Sequence, residues 1–202
     1  MSKVHNGWLI IVGVISQIIG WVVFYPANPA DENSVQAAAI RGDETMAYVG
    51  LIMGFGGMIA MLYALRNVAL SMEADGGKGS SYAGAAGFVF LLAAAGALVC
   101  TGFEFSVHAA SSNMSAAMLM GNSLAVANGV ILGIGTANVL LGIAILVTKK
   151  VYPVVGALAI LVGIAMLLTP FLGQDSMIGG IGWLGWAITS IGIGFHSIRS
   201  AD

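Results

Sequence analysis

The sequence predicts an all-α integral membrane protein. It reads as one domain over residues 1–202, a compact bundle of six transmembrane helices with both termini cytoplasmic. Three observations carry that prediction. Hydrophobic residues make up 58 % of the chain and charged ones 8 %, where soluble proteins carry roughly a quarter charged, and the mean hydropathy of +0.95 agrees. Apolar runs near the bilayer-spanning length of about 20 residues recur over about 7–24, 45–65, 82–105, 121–147, 154–168 and 177–198. Basic residues also segregate. With the N-terminus inside, Lys3, Arg66, Lys78, Lys149, Lys150 and Arg199 share the cytoplasmic side and only Arg41 falls outside, the pattern of the positive-inside rule. Acidic residues separate the other way: Asp31, Glu32, Asp43, Glu44, Glu104 and Asp175 lie outside or near the outer face, against Glu73, Asp75 and Asp202 inside. The expected location is the cell (plasma or inner) membrane, in multi-pass form.

The first run ends at Tyr25-Pro26. Lys3 before an apolar core and small residues at Ala27 and Ala30 fit a cleaved leader, but Gln17 with Gly13 and Gly20 gives the run a packing face, so a retained span is expected. The loop from Ala27 to Glu44 is polar and acidic, with Ser34–Ile40 as a short interfacial helix. The second run carries Gly50, Gly54 and Gly57, which admit a close neighbour. A flexible Gly/Ser-containing loop follows over Ser71–Ser81, and the third run ends at a neutral Ser/Asn/Met loop that leads into the fourth. The fourth run stops at Lys149-Lys150, Pro153 opens the fifth, and Thr169-Pro170 ends it. The sixth is Gly-rich and carries Trp183 and Trp186. Trp8, Trp21, Tyr25 and Tyr152 fall where amphipathic aromatics anchor helices at the membrane interface.

Runs one and four share glycines in register, Asn6-Gly7, Gly13 and Gly20 against Asn128-Gly129, Gly135 and Gly142. Runs two and five share Ile59–Leu62 and Ile164–Leu167. Two halves of three spans each would be inverted in the membrane, an arrangement common in transporters. With 29 glycines in the chain, coincidence is the simpler account of the match.

Gly102–Asn122 is the stretch where chemistry is expected, because Glu104 is the one acidic residue inside an apolar run and His108 follows four positions later. Four residues of helix put them on one face, about 6 Å apart along the axis. Their depth, near the outer end of the third span, favours a solvated helix end with His108 at the negative helix C-terminus. Two functional readings stand beside it. Glu104 and His108 would form a proton-responsive pair. Alternatively, with Met114 and Met118, they would form an outer-face metal site for copper, since thioether sulfur is a soft ligand for Cu(I). Gln17, Asn128 and Asn138 are the other polar residues of the spans; they are expected to act as hydrogen-bond glue between helices or as the polar lining of a cavity.

Several functions find no support in the residues. No lysine sits in mid-span for a retinal Schiff base, and His108 and His196 fall at opposite ends for a haem. Neither a phosphate-cradling glycine loop nor a serine–base pair is visible, and no basic patch suits nucleic acid. Cys100 is the sole cysteine. The expected function is therefore non-catalytic. The chain reads as a structural or accessory subunit of a membrane complex, or as a lipid- or small-molecule-binding component. The alternative is a small transporter or sensor with the proton or copper site at Glu104 and His108. Its expected partners are the bilayer and other membrane subunits or further copies of itself.

Overall fold

The computed structural model describes residues 2–28, 30–149 and 151–200, and its regular structure is entirely helical. Helix α1 (Lys3–Ile19) runs on into a π-helical turn at Gly20–Phe24, and α2 (Asn33–Gly42) is short. Then come α3 (Glu44–Ala74), α4 (Ser80–His108), α5 (Asn113–Thr148), α6 (Pro153–Leu172) and α7 (Met177–Arg199). All but α2 are long and apolar enough to cross a membrane, which makes six spanning helices. Lys150 and Asp202, used in the charge pattern above, lie outside the described residues.

The spanning helices form a closed ring. Each packs on the next in sequence, and α7 returns to pack on α1. The ring encloses a core that includes Leu51, Met61, Phe90, Ile134, Leu141 and Trp186. Helix α2 lies across one end, against α3, α4 and α5, and the Lys3 ammonium donates to the Ser200 carbonyl at 3.4 Å at the other. A second small core, with Ala37, Ile40, Val107, Ala116 and Met120, fixes α2 in place. The short helix expected over Ser34–Ile40 is thus present as α2, and it lies across the end of the bundle.

Several helices run past the sequence expectation. Helix α3 continues through what reads as loop to Ala74, because Val68, Ala69 and Met72 remain buried at helical spacing. The Ser/Asn/Met stretch before the fourth span is the start of α5. The Ser112 hydroxyl caps it by accepting from the Ser115 N–H at 3.1 Å, and Ala116, Met120 and Ser123 face inward at one-turn intervals. Helix α6 carries Pro170 inside its last turn and ends at Leu172, while α4 ends at His108, the helix C-terminus the sequence suggested. Hydropathy marks where a chain is apolar, whereas helices run on past the bilayer wherever one face still has something to bury against.

The matched glycines do the same work in both halves. A Cβ on Gly13 would lie 2.7 Å from the Gly57 carbonyl oxygen and 3.0 Å from the Met61 nitrogen. A Cβ on Gly135 would lie 2.8 Å from the Gly163 carbonyl oxygen and 3.0 Å from the Leu167 nitrogen. One turn or two further on, Gly20 meets the Gly54 nitrogen, and a Cβ on Gly142 would sit 3.0 Å from the Ile160 nitrogen. The α1–α3 and α5–α6 hairpins therefore share one backbone interlock, in register with the match of runs one and four but one residue out of step with that of runs two and five, since it pairs Gly57 with Gly163 where the Ile59–Leu62 and Ile164–Leu167 match would pair Gly57 with Val162. The third helices do not extend it: Gly87 faces Arg66 to Leu70, whereas Gly182 faces Met166 and Thr169.

Candidate ligand cavity

Within the α2 half of the ring lies a cavity of about 510 Å³. Its position follows from how α1 meets α7. At the end that carries the termini, Gly7 and Gly194 bring the two helices together so closely that a Cβ on Gly7 would lie 2.5 Å from the Gly194 carbonyl oxygen. Toward α2 large side chains replace the glycines, Trp21 in the π turn after α1 and Trp183 and Trp186 on α7, and they line the cavity. Ile18, Val22 and Leu184, which line it, are 44 %, 77 % and 67 % exposed, so the cavity opens sideways between α1 and α7 onto the apolar flank of the bundle.

Glycines on α3 set the aromatic wall. Gly54 lies flat against the Trp21 indole, where a Cβ would meet Cε2 at 2.7 Å, and a Cβ on Gly50 would lie 2.8 Å from the Tyr25 backbone. The π turn accommodates this path: the Tyr25 N–H bonds the Gly20 carbonyl at 2.9 Å, across five residues instead of four. Trp21 then stands edge-on to both Tyr25 and Phe55, with ring centroids 4.8 and 4.7 Å apart. Trp183 and Trp186 form a second aromatic pair on α7, with centroids at 5.6 Å. The indole Nε1–H of Trp186 is buried without a hydrogen-bond partner, as are the Thr189 and Ser190 hydroxyls one turn beyond it.

Glu104 stands in the cavity wall. The expectation of a solvated helix end is corrected: its side chain is 4 % exposed, because α2 and the early turns of α5 cover the end of α4. The Tyr25 hydroxyl donates to Oε2 at 2.5 Å and the Ser123 hydroxyl donates to Oε1 at 2.7 Å. Both are short O–H···O hydrogen bonds. Among the described residues no Lys, Arg or His pairs with this carboxyl group. Cys100, one turn earlier on α4, also lines the cavity; its thiol donates to the Ser123 carbonyl at 3.5 Å.

The other residues singled out from the sequence part company here. His108 does not join Glu104; its ring packs against Tyr48 with centroids 4.6 Å apart, and its Nε2 is buried without a partner. Met114 and Met118 are 76 % and 65 % exposed on α5, away from the buried carboxyl group. Among the described residues no cluster of three or more His, Cys, Asp or Glu side chains is arranged to hold a metal ion. Gln17 lines the cavity and its amide makes no hydrogen bond. Asn138 donates to the Ile134 carbonyl of its own helix at 2.8 Å instead of bridging to a neighbour, and Asn128 lines no part of the cavity. Bonds between helices come from elsewhere: Ser16 donates to Met53 O at 2.9 Å, and Asn6 to Ala64 O at 2.9 Å.

Sequence reasoning missed Trp21, Tyr25 and Ser123 as members of the site. Trp21 and Tyr25 read as interface anchors, and both instead face inward as cavity wall. The one signal for this was Tyr25 and Trp21 at one-turn spacing opposite the small residues Gly50 and Gly54.

The fold and cavity together define a multi-pass helical membrane protein with a laterally open, aromatic-lined pocket holding one buried carboxyl group. No protein-family model matches the chain, and no curated protein and no solved structure is significantly similar to it.

Proposed function

We propose that this protein is a non-catalytic membrane component that binds a small lipophilic molecule taken up from the bilayer. The observation that supports this reading is the cavity of about 510 Å³ with its opening between Ile18, Val22 and Leu184. Ligand pockets run to about 300–1,000 Å³ and combine apolar walls with a few polar groups. An opening among lipid-facing side chains admits molecules dissolved in the membrane. Of the two roles the sequence left together, subunit and small-molecule binder, the cavity favours the binder. The distribution of basic residues supports an orientation with the α2 end away from the cytoplasm and the pocket in the outer leaflet; a cytoplasmically fluorescent C-terminal fusion is the expected check.

Native mass spectrometry of the protein released from nanodiscs tests the binding role. The expected result is a one-to-one adduct with a lipophilic small molecule, absent from Ala127→Trp, in which the new side chain fills the cavity. Failure of the unmutated protein to hold any such molecule, even when membranes are supplied with a range of lipophiles, would overturn it.

A further inference from the structure

The carboxyl group and the rings of the cavity point to the charge of the ligand. Resting on the binding role proposed above, we propose that the cavity takes a lipophilic organic cation, with Glu104 as its counter-charge and the rings of Trp21, Tyr25 and Trp183 as its walls.

Two features of Glu104 carry the argument. Hydroxyl donors converge on both of its oxygens, from Tyr25 at 2.5 Å and Ser123 at 2.7 Å. An ionised carboxylate is acceptor-only, and both hydroxyls are placed to donate to it. Second, a carboxylate that stays charged in the interior of a membrane protein is costly unless something of opposite charge meets it. Among the described residues nothing does, since Glu104 forms no ion pair. The missing charge is supplied by what enters the cavity.

The rings select the kind of cation. Aromatic faces carry negative potential and attract cations within about 6 Å, by more when the pair is shielded from water. Trp21 stands in the π turn after α1 with Tyr25 just beyond it, and Trp183 and Trp186 stand on α7, so the rings flank the lateral opening and line the cavity. An inorganic cation would have to shed its water for a site with one carboxylate and few other oxygens. A quaternary or aromatic nitrogen carried on an apolar body needs no such ligand shell, and its body fits the apolar remainder of the lining, Phe55, Met58, Leu124 and Ile131.

A matched pair of probes tests this: 1-methyl-4-phenylpyridinium and 4-methylbiphenyl, which share shape and atom count and differ in charge. Binding of each to the full chain in uncharged-lipid nanodiscs is measured by equilibrium dialysis against empty nanodiscs. The cation is expected to bind at least tenfold more tightly than the neutral probe. Glu104→Gln is expected to bring the two within twofold by weakening binding of the cation, and circular dichroism with monodisperse elution in detergent reports that the variant is folded. Equal binding of both probes to the unmutated protein, or a preference that survives Glu104→Gln, overturns the cation assignment and leaves the lipophile-binding role standing. If neither probe binds and Ala127→Trp changes nothing, both readings fall.

Discussion

Replacing Gly13 or Gly135 by alanine tests whether the bundle is held by backbone-to-backbone contact at two equivalent places. Each substitution adds one methyl group. At Gly13 that carbon would stand 2.7 Å from the Gly57 carbonyl oxygen and at Gly135 2.8 Å from that of Gly163, where ordinary contact begins at 3.4 Å. The obstructing atoms belong to helix backbone, so no rotamer change relieves them. The helices themselves must part by roughly half an ångström or more, and a gap of that size forfeits a quarter to a half of each dispersion contact along the interface. Overpacking of this kind costs about 1–3 kcal/mol. The expected loss is about 2 kcal/mol at each site, equal in the two hairpins because their geometry is equal. Gly129 and Gly102 supply the control, since a Cβ there meets nothing within 4 Å; alanine at either should be neutral or stabilising by up to ~1 kcal/mol. Unfolding in mixed dodecylmaltoside–SDS micelles, followed by circular dichroism, measures all four. Losses below about 0.5 kcal/mol at Gly13 and Gly135, or losses as large at Gly129, would refute the interlock.

Two further predictions concern the site. Tyr25→Phe and Ser123→Ala each remove one donor from Glu104 and should cost about 1–2 kcal/mol of bundle stability. In a Glu104→Leu chain the same changes should cost little, and a double-mutant cycle that shows simple additivity would contradict the hydrogen-bonded trio. Ile40→Asp places a charge in the fully buried seam beneath α2. It should loosen that helix and raise the rate at which a water-soluble methanethiosulfonate modifies Cys100 by at least tenfold; an unchanged rate would show that α2 does not close the cavity.

Much of the architecture was legible because its physics is local. A helix that crosses a bilayer must satisfy its own backbone and present about 20 apolar residues, so each span is marked within its own stretch of sequence. The glycine register of runs one and four was also visible, but a sequence match alone cannot tell a shared contact from shared composition. That decision needed Gly57 and Gly163 to be seen against Gly13 and Gly135.

The candidate site was legible only in its single most unusual residue. Glu104 stood out as an acid in an apolar run, yet its surroundings are set by residues far away in the chain: Tyr25 is 79 positions before it and Ser123 19 after. Counting residues along α4 put Glu104 near a helix end, and a helix end is wet only if nothing covers it. Helix α2 covers this one, through Ala37 and Ile40 packed on Val107, Ala116 and Met120. Depth in a membrane protein is thus measured in two coordinates: distance along the helix, which hydropathy supplies, and the position of neighbouring loops, which it does not. The same reasoning explains Trp21 and Tyr25. An aromatic residue near a span's end lies at the interface by default, but here Gly50 and Gly54 remove the side chains that would hold those rings off. The rings turn inward and a pocket forms where a lipid anchor was expected.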